Sequence, residues 1–323
     1  MGNQLLVDTH VHMVGATQAL QDLGDLIRTE RDVIDINARY PQLHRDALSQ
    51  EPIDISDQYV ELMERHGISH AIVQKRPGMA TNTMVGDIVK RHPDKLFGLL
   101  WMTPHSFSGD PVKTRGRELP DERELARRRE AAAEEIVYGA DTLGLIGVGE
   151  FEVREITVEL HPERIARDFE PIMTVLSTYR LPIMFHTAWT QFPHDLYYGD
   201  PIWVDELAYS YPEVPIILTK MGRGFERYFE ACLSVAMRNP NVYLDTVQTT
   251  PHHLRKALDI LGPDRIMFGS DWSPTWRWVT EPADYYTLRK QLLDEAQLSD
   301  EERQSISWRT AARVFRLPIE TDA

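Results

Sequence analysis

Eight short apolar runs punctuate the chain, and a stretch of helical periodicity separates each from the next. The runs are QLLVDTH (4–10), AIVQK (71–75), LFGLLWM (96–102), LIGVGEF (145–151), PIMFHT (182–187), PIILT (215–219), VYLDT (242–246) and RIMFGSD (265–271). Continuous apolar character in runs this short marks strands buried on both faces, as in a parallel sheet. Among the helical stretches, SDQYVELMERHG opens with Ser56 as N-cap and closes at Gly67. DERELARRREAAAEEIVYGADTLG, RGFERYFEACLSVAMR and TPHHLRKALDILG each carry an apolar side. Eight strand–helix units predict an α/β chain folded as a (β/α)8 TIM barrel, one domain over 1–323. An open doubly wound sheet is the alternative, and no Gly-x-Gly-x-x-Gly follows any strand to support it.

Composition narrows the partners. Hydrophobic residues are 42% and charged residues 26%, as in a soluble globular protein, and the net charge of −15 repels phosphate backbones and anionic lipid. The expected partner is therefore a small molecule, not nucleic acid or membrane. The one cysteine, Cys232, rules out an internal disulfide and lies in an apolar helical run, where burial is expected. With no signal pattern and no 18-residue apolar run, a cytoplasmic location is expected.

Three connections are too long for ordinary strand-to-helix loops: Met13 to Asp54, Thr103 to Pro120, and the aromatic-rich AWTQFPHDLYYGDP (188–201). They follow strands one, three and five, which places them over the C-terminal face, where active sites of barrels lie.

Chemistry-bearing residues gather at the same strand ends. His10 and His12 share one strand face, about 6.5 Å apart at Cα, close enough to converge on one ion. The fourth run delivers Glu150, the fifth His186 and the eighth Asp271. Such a mixed nitrogen and oxygen set suits a divalent cation. Each residue also has an ordinary alternative: Asp271 as a helix cap, Glu150 in an ion pair, His186 as a core histidine.

VDTHVH, PIMFHT, FGSDWSP and the closing ISWRTAARVFRL resemble the amidohydrolase superfamily, in its branch that includes aminocarboxymuconate semialdehyde decarboxylase, across nearly the whole chain. The resemblance implies that His10, His12, His186 and Asp271 bind one or two divalent ions (Zn, Fe or Mn). It implies that Asp271 also moves the reacting proton, and that the protein is a symmetric homodimer. Two positions depart from the pattern. The branch usually carries LGHMGGG after the sixth strand, whereas LTKMGRG here puts Lys220 at the histidine position. A charged ammonium has no lone pair for a metal, so Lys220 is expected to hold an anionic substrate group or form a structural ion pair. Decarboxylases of this branch generally lack an acid at Glu150, whereas binuclear hydrolases of the superfamily place a bridging carboxylate there.

The leading expectation is therefore a metal-dependent hydrolase, most simply binuclear, in which activated hydroxide attacks an acyl carbon of an organic-acid derivative. Glu150 bridges the ions, and Asp271, with Lys220 beside it, carries the catalysis. Lys75, Arg76, Arg223 and His194 are candidates for substrate binding, with Trp189 and Trp272 among a group of rim aromatics that includes Phe192, Tyr197, Tyr198, Trp276 and Trp278. The alternative is a metal-dependent, non-oxidative decarboxylase of an aromatic or unsaturated acid.

Overall fold

All eight expected strands form, in parallel, in a computed structural model that describes residues 5–18, 50–75, 80–102, 121–153, 156–157, 159–188, 195–273 and 285–319. The strands are β1 (Val7–Val14), β2 (His70–Lys75), β3 (Leu96–Gly98), β4 (Val148–Phe151), β5 (Ile183–Phe185), β6 (Ile216–Leu218), β7 (Val242–Asp245) and β8 (Ile266–Met267). Hydrogen bonding runs β1-β2-β3 and β4-β5-β6-β7-β8. Two seams close the ring. Leu100 N donates to Gly147 O and Ile146 N to Gly98 O, both at 2.9 Å, joining the third strand to the fourth. Thr9 N donates to Phe268 O at 3.0 Å and Asp271 N to His10 O at 2.9 Å, joining the eighth to the first. The sheet has no open edge, so the doubly wound alternative is set aside.

Helices wrap the ring: α1 (Ser56–Arg65), α2 (Asn82–Arg91), α3 (Glu122–Tyr138), α4 (Pro162–Tyr179), α5 (Asp195–Tyr198), α6 (Asp205–Ser210), α7 (Glu226–Arg238), α8 (Pro251–Leu261), α9 (Tyr285–Glu295), α10 (Asp300–Gln304) and α11 (Thr310–Phe315). Asp121 caps α3 by accepting from Glu124 N, and Thr250 caps α8 by accepting from His253 N. Ser56 is not the N-cap of α1. It is the first helical residue, Ile55 precedes it, and Asp54 Oδ1 accepts its N–H at 2.8 Å. No described helix is long and apolar enough to cross a membrane.

Two apolar cores result. The larger fills the space between sheet and helices and includes Cys232, fully buried as expected. The smaller fills the barrel lumen with Val7, Ile72, Phe97, Met184, Ile217, Tyr243 and Met267, and the C-terminal segment plugs its lower end with Trp308, Val314 and Phe315. On β1, Val7 faces the lumen whereas Val11 faces the helices, and a register shift between Asp8 and Val11 accounts for the change of face. That shift turns His10 and His12 inward. Both histidines lie within an eight-residue strand, not where the strand runs out.

A second buried charge cluster lies on the flank, between α3 and α4. Asp168 Oδ2 accepts from Arg164 Nε at 2.7 Å and Thr157 Oγ1 at 2.9 Å, and pairs with the charge of Arg129, whose Nη2 lies 3.0 Å away. Arg164 Nη2 also reaches Glu122 at 2.7 Å.

Candidate metal centre

A ring of polar side chains sits directly above the lumen core, and strand period places it. Two residues beyond Ile72, Met184, Ile217 and Tyr243 stand Gln74, His186, Thr219 and Asp245. His10 and His12 from the first strand, Glu150 from the fourth and Asp271 from beyond the eighth complete the cluster. Gly269 makes room: a Cβ there would lie 3.1 Å from His10 Cβ.

Four acceptor atoms meet at the centre. His10 Nε2 lies 3.2 Å from His12 Nε2, 3.2 Å from Glu150 Oε2 and 3.6 Å from Asp271 Oδ1. His12 Nε2 lies 3.4 Å from each of the two carboxylate oxygens. The ligand-capable atoms of His10, His12 and Glu150 all fall within 4.8 Å of one another. Asp245 Oδ2 accepts from His10 Nδ1 at 2.8 Å, which sets the tautomer and leaves the Nε2 lone pair facing the cluster. Two imidazole lone pairs and two carboxylate oxygens at this spacing repel one another unless a cation or protons stand between them. The donor chemistry therefore fits a divalent metal ion.

Without a cation between them, the same carboxylates draw a proton onto His10. Burial disfavours the His10 cation, but the Glu150 carboxylate and the bond to Asp245 override it and push the imidazole up to about 10. Burial holds His12 below its ordinary value. Glu150 and Asp271 stay ionised despite complete burial, because Lys220 and the histidines hold both carboxyls well below the usual range. Burial opposes the Lys220 cation, and Asp271, Glu150 and Asp245 together more than restore it.

Lys220 is almost wholly buried, and its ammonium donates to Asp271 Oδ2 at 3.0 Å and lies 3.5 Å from Glu150 Oε1. The backbone contorts to bring it there: Lys220, Met221, Gly222 and Arg223 all have positive φ (68°, 40°, 77° and 53°). Left-handed non-glycine residues cost roughly 1–2 kcal/mol each. One anchor is the Lys220 N–H, which donates to Asp245 Oδ1 at 2.7 Å.

Glu150 divides its two oxygens. Oε1 accepts from Thr219 Oγ1, lies 3.1 Å from His186 Nδ1 and faces Lys220. Only Oε2 turns to His10 and His12. Oε1 is held within the protein, and Oε2 is the oxygen offered to the cluster. His186 thus meets Glu150 through Nδ1, while its Nε2 is buried without a hydrogen-bond partner.

The remaining candidates are spread more widely. Lys75 is nearly buried at the end of β2 and donates to Ala80 O at 3.1 Å. Arg223 is half-buried, and its charge acts on Lys220. Trp272 packs into the outer core against Tyr59, with ring centroids 4.7 Å apart. Tyr197 is 55% exposed and touches Trp203. Arg76, Trp189, Phe192, His194, Trp276 and Trp278 lie outside the described residues, as do most of the three long connections. Asp245, Thr219 and Gln74 were not singled out from the sequence. Their signal was a polar residue two positions beyond an inward apolar one.

Known proteins resemble this chain along nearly its whole length. A gamma-resorcylate decarboxylase of Polaromonas sp. (strain JS666) is 23% identical over 341 residues, spanning 91% of this chain and 98% of the relative. The structure of a dihydroxybenzoic acid decarboxylase from Polaromonas sp. JS666, with bound manganese and the inhibitor 2-nitroresorcinol, matches with a TM-score of 0.61 at 16% identity, covering 99% of this chain and 98% of that one. A 5-carboxyvanillate decarboxylase from Sphingomonas paucimobilis matches with a TM-score of 0.59 at 17% identity, covering 97% and 99%. These likenesses overturn the hydrolase expectation: the relatives lose carbon dioxide from aromatic acids, and the decarboxylase alternative takes first place. The amidohydrolase family model matches residues 7–317, and the chain belongs to that family.

Proposed function

We propose that the protein is a non-oxidative decarboxylase of a hydroxylated aromatic carboxylic acid, working with one divalent ion of the manganese type. The observation that carries the ion is the meeting of His10 Nε2, His12 Nε2, Glu150 Oε2 and Asp271 Oδ1 at 3.2–3.6 Å. What supports the reaction class is the aromatic-acid decarboxylase aligned along 91% of the chain. A single ion agrees with Glu150, whose Oε1 is held by Thr219, His186 and Lys220.

When bound, the ion supplies positive charge that fixes the substrate carboxylate and accepts electron density from the ring. The chain's own residues do the rest. Asp271, ionised at rest with Oδ2 held by Lys220, takes up a proton from solvent and passes it to the ring carbon that bears the carboxyl group. A C–H bond forms there and the bond to the carboxyl carbon breaks. Its electron pair stays with the ring, carbon dioxide leaves, and Asp271 ends ionised, as it began. Asp245 keeps the His10 ring in place throughout. No oxidant or reductant enters the balance.

The test is to load the protein with manganese, incubate it anaerobically with a panel of hydroxybenzoic acids and follow carbon dioxide and the decarboxylated arene. Stoichiometric release of both, abolished by chelator and restored by manganese, is expected. Metal-loaded protein that releases nothing from the whole panel would sink the reading.

A further inference from the structure

Behind the metal cluster, the seam between the first and eighth strands holds a carboxylate that never reaches the cluster. Asp8 follows the inward-facing Val7 on β1, so it points out of the lumen, and it is fully buried. Its Oδ1 accepts from His10 N at 3.2 Å and from Ser270 N at 2.9 Å. Its Oδ2 accepts from Ser270 Oγ at 2.5 Å and from the Tyr286 hydroxyl of α9 at 2.8 Å. An ionised carboxylate only accepts, with about four lone-pair sites, and donors meet both of these oxygens twice. One oxygen thus ties a backbone N–H of β1 to one from the segment just past β8.

Ser270 carries the grip onward. It immediately precedes Asp271, its Oγ also accepts from Trp272 N at 3.0 Å, and its carbonyl accepts from the Tyr285 hydroxyl at 2.5 Å. Asp271 itself has a left-handed backbone, φ 62°, a conformation that persists when its neighbours fix it. Its Oδ1 lies 3.6 Å from His10 Nε2 and 3.4 Å from His12 Nε2. That spacing crosses from one strand to another, so it depends on what locks the two together. Asp8 bonds both sides at the residues that matter: His10 itself, and the residue before Asp271.

We propose that Asp8 is a positioning residue: through the His10 N–H on one side and Ser270 on the other, it sets the distance from Asp271 Oδ1 to the histidine pair. Its effect on proton delivery rests on the decarboxylase reading above, whereas its effect on the metal ligands does not.

The experiment compares the manganese-loaded full chain as wild type, Asp8→Ala, Ser270→Ala and Tyr286→Phe. It reads manganese affinity against a chelating dye, the electron spin resonance spectrum of the bound manganese, and kcat and KM for carbon dioxide release from hydroxybenzoic acids. Removing a group that orients a metal ligand typically costs about 10–100-fold in affinity or activity, so Asp8→Ala should bind manganese about tenfold more weakly, with an altered spectrum. A reacting group displaced by about 1 Å loses about 10²-fold, so kcat should fall by about that factor while KM stays within about twofold. Ser270→Ala cuts the same link from the other side and should show the altered spectrum with about a tenfold fall in kcat. It decides the matter if Asp8→Ala does not fold. Tyr286→Phe removes the bond on the helix side and leaves the seam bonds in place. Its melting temperature should fall while its spectrum, affinity and kcat stay at wild-type values. Wild-type spectrum and affinity in Asp8→Ala and Ser270→Ala would overturn the role of Asp8. Equal losses in Asp8→Ala and Tyr286→Phe would overturn it too, because the carboxylate would then act through stability alone. If wild type holds manganese but releases no carbon dioxide, only the decarboxylase reading falls, and spectrum and affinity still decide the role of Asp8. If wild type holds no manganese, both fall.

Discussion

The barrel mouth and the α3–α4 flank each bury a knot of charge, and the two knots are built in opposite ways. On the flank, Asp168 Oδ2 accepts from Arg164 and Thr157 and pairs with the Arg129 charge. Positive groups surround a negative one, and the helices that carry them are held together. At the mouth, four ligand-capable atoms face one another and Lys220 stands beside them as a permanent cation. The flank balances its charge within the protein, although Asp168 Oδ1 and Arg129 Nη2 have no hydrogen-bond partner. The mouth crowds ligand-capable atoms together, and the left-handed run from Lys220 to Arg223 shows strain spent on arranging it. The difference separates a cluster that serves stability from one that serves chemistry, and substitutions should separate them too.

The largest effect is expected from Asp271→Asn. It removes the proton carrier while keeping the side chain's shape, so kcat for carbon dioxide release should fall by about 10²–10⁴. Unfolding by urea should change less than in the flank variant below, because the buried Lys220 that loses Asp271 keeps Glu150 at 3.5 Å. A large loss of stability with activity retained would break the comparison.

The reverse pattern is expected on the flank. Arg129→Met leaves the fully buried Asp168 with one guanidinium fewer. Removing one partner of a buried pair should cost roughly 3 kcal/mol, read as a lower urea midpoint. Metal content and kcat should stay at wild-type levels below the unfolding transition. Loss of metal in this variant would show that the two clusters are coupled.

Lys220→Met probes the one cation that the mouth supplies for itself. The ammonium 3.0 Å from Asp271 repels any incoming metal ion, so its removal should tighten manganese binding by about tenfold or more while lowering kcat. Competition with a chelating dye would read the affinity. Weaker binding would mean that Lys220 organises the ligands more than it repels the ion.

The mouth was far more legible in the sequence than the flank. His10 and His12 announce themselves by spacing, and Glu150, His186 and Asp271 by ending apolar runs. Eight such runs also disclosed the barrel, because a strand buried on both faces leaves a continuous apolar signature. Asp245, Thr219 and Gln74 are short polar residues in runs of the same kind, and only the inward phase of each strand, fixed by Ile217, Tyr243 and Ile72, picks them out. That phase is not reliable from sequence alone, as the register shift in β1 shows. Arg129 was hidden for a different reason: it is one of three consecutive arginines on a charged helix, and only the packing of α4 buries it. A strand-end glutamate likewise does not reveal how its oxygens are shared: Thr219, His186 and Lys220, from two other strands, gather around Oε1.

The smallest effect carries the comparison out to the surface, where donors again surround an acceptor but water screens them. Arg255 on α8 donates to Glu302 on α10 through Nη2 at 2.5 Å and Nη1 at 3.1 Å. The arginine bonds hold the Glu302 carboxyl down to about 2, from an ordinary 4.5. The folded state thus binds this proton less readily than the unfolded chain. Its stabilisation is present above about pH 4.5 and is lost as pH falls toward 2. Because the pair is partly exposed, Glu302→Gln should cost only about 1 kcal/mol at pH 7, well below the flank value. The gap between wild type and variant in urea unfolding should hold steady from pH 7 to 5 and narrow below that. Glu302 also accepts from the Ser299 N–H at 2.9 Å in a capping box, a bond that glutamine can still accept. A gap that persisted unchanged to pH 3 would therefore assign the contribution to side-chain geometry at the cap, and the surface pair would no longer belong with the flank.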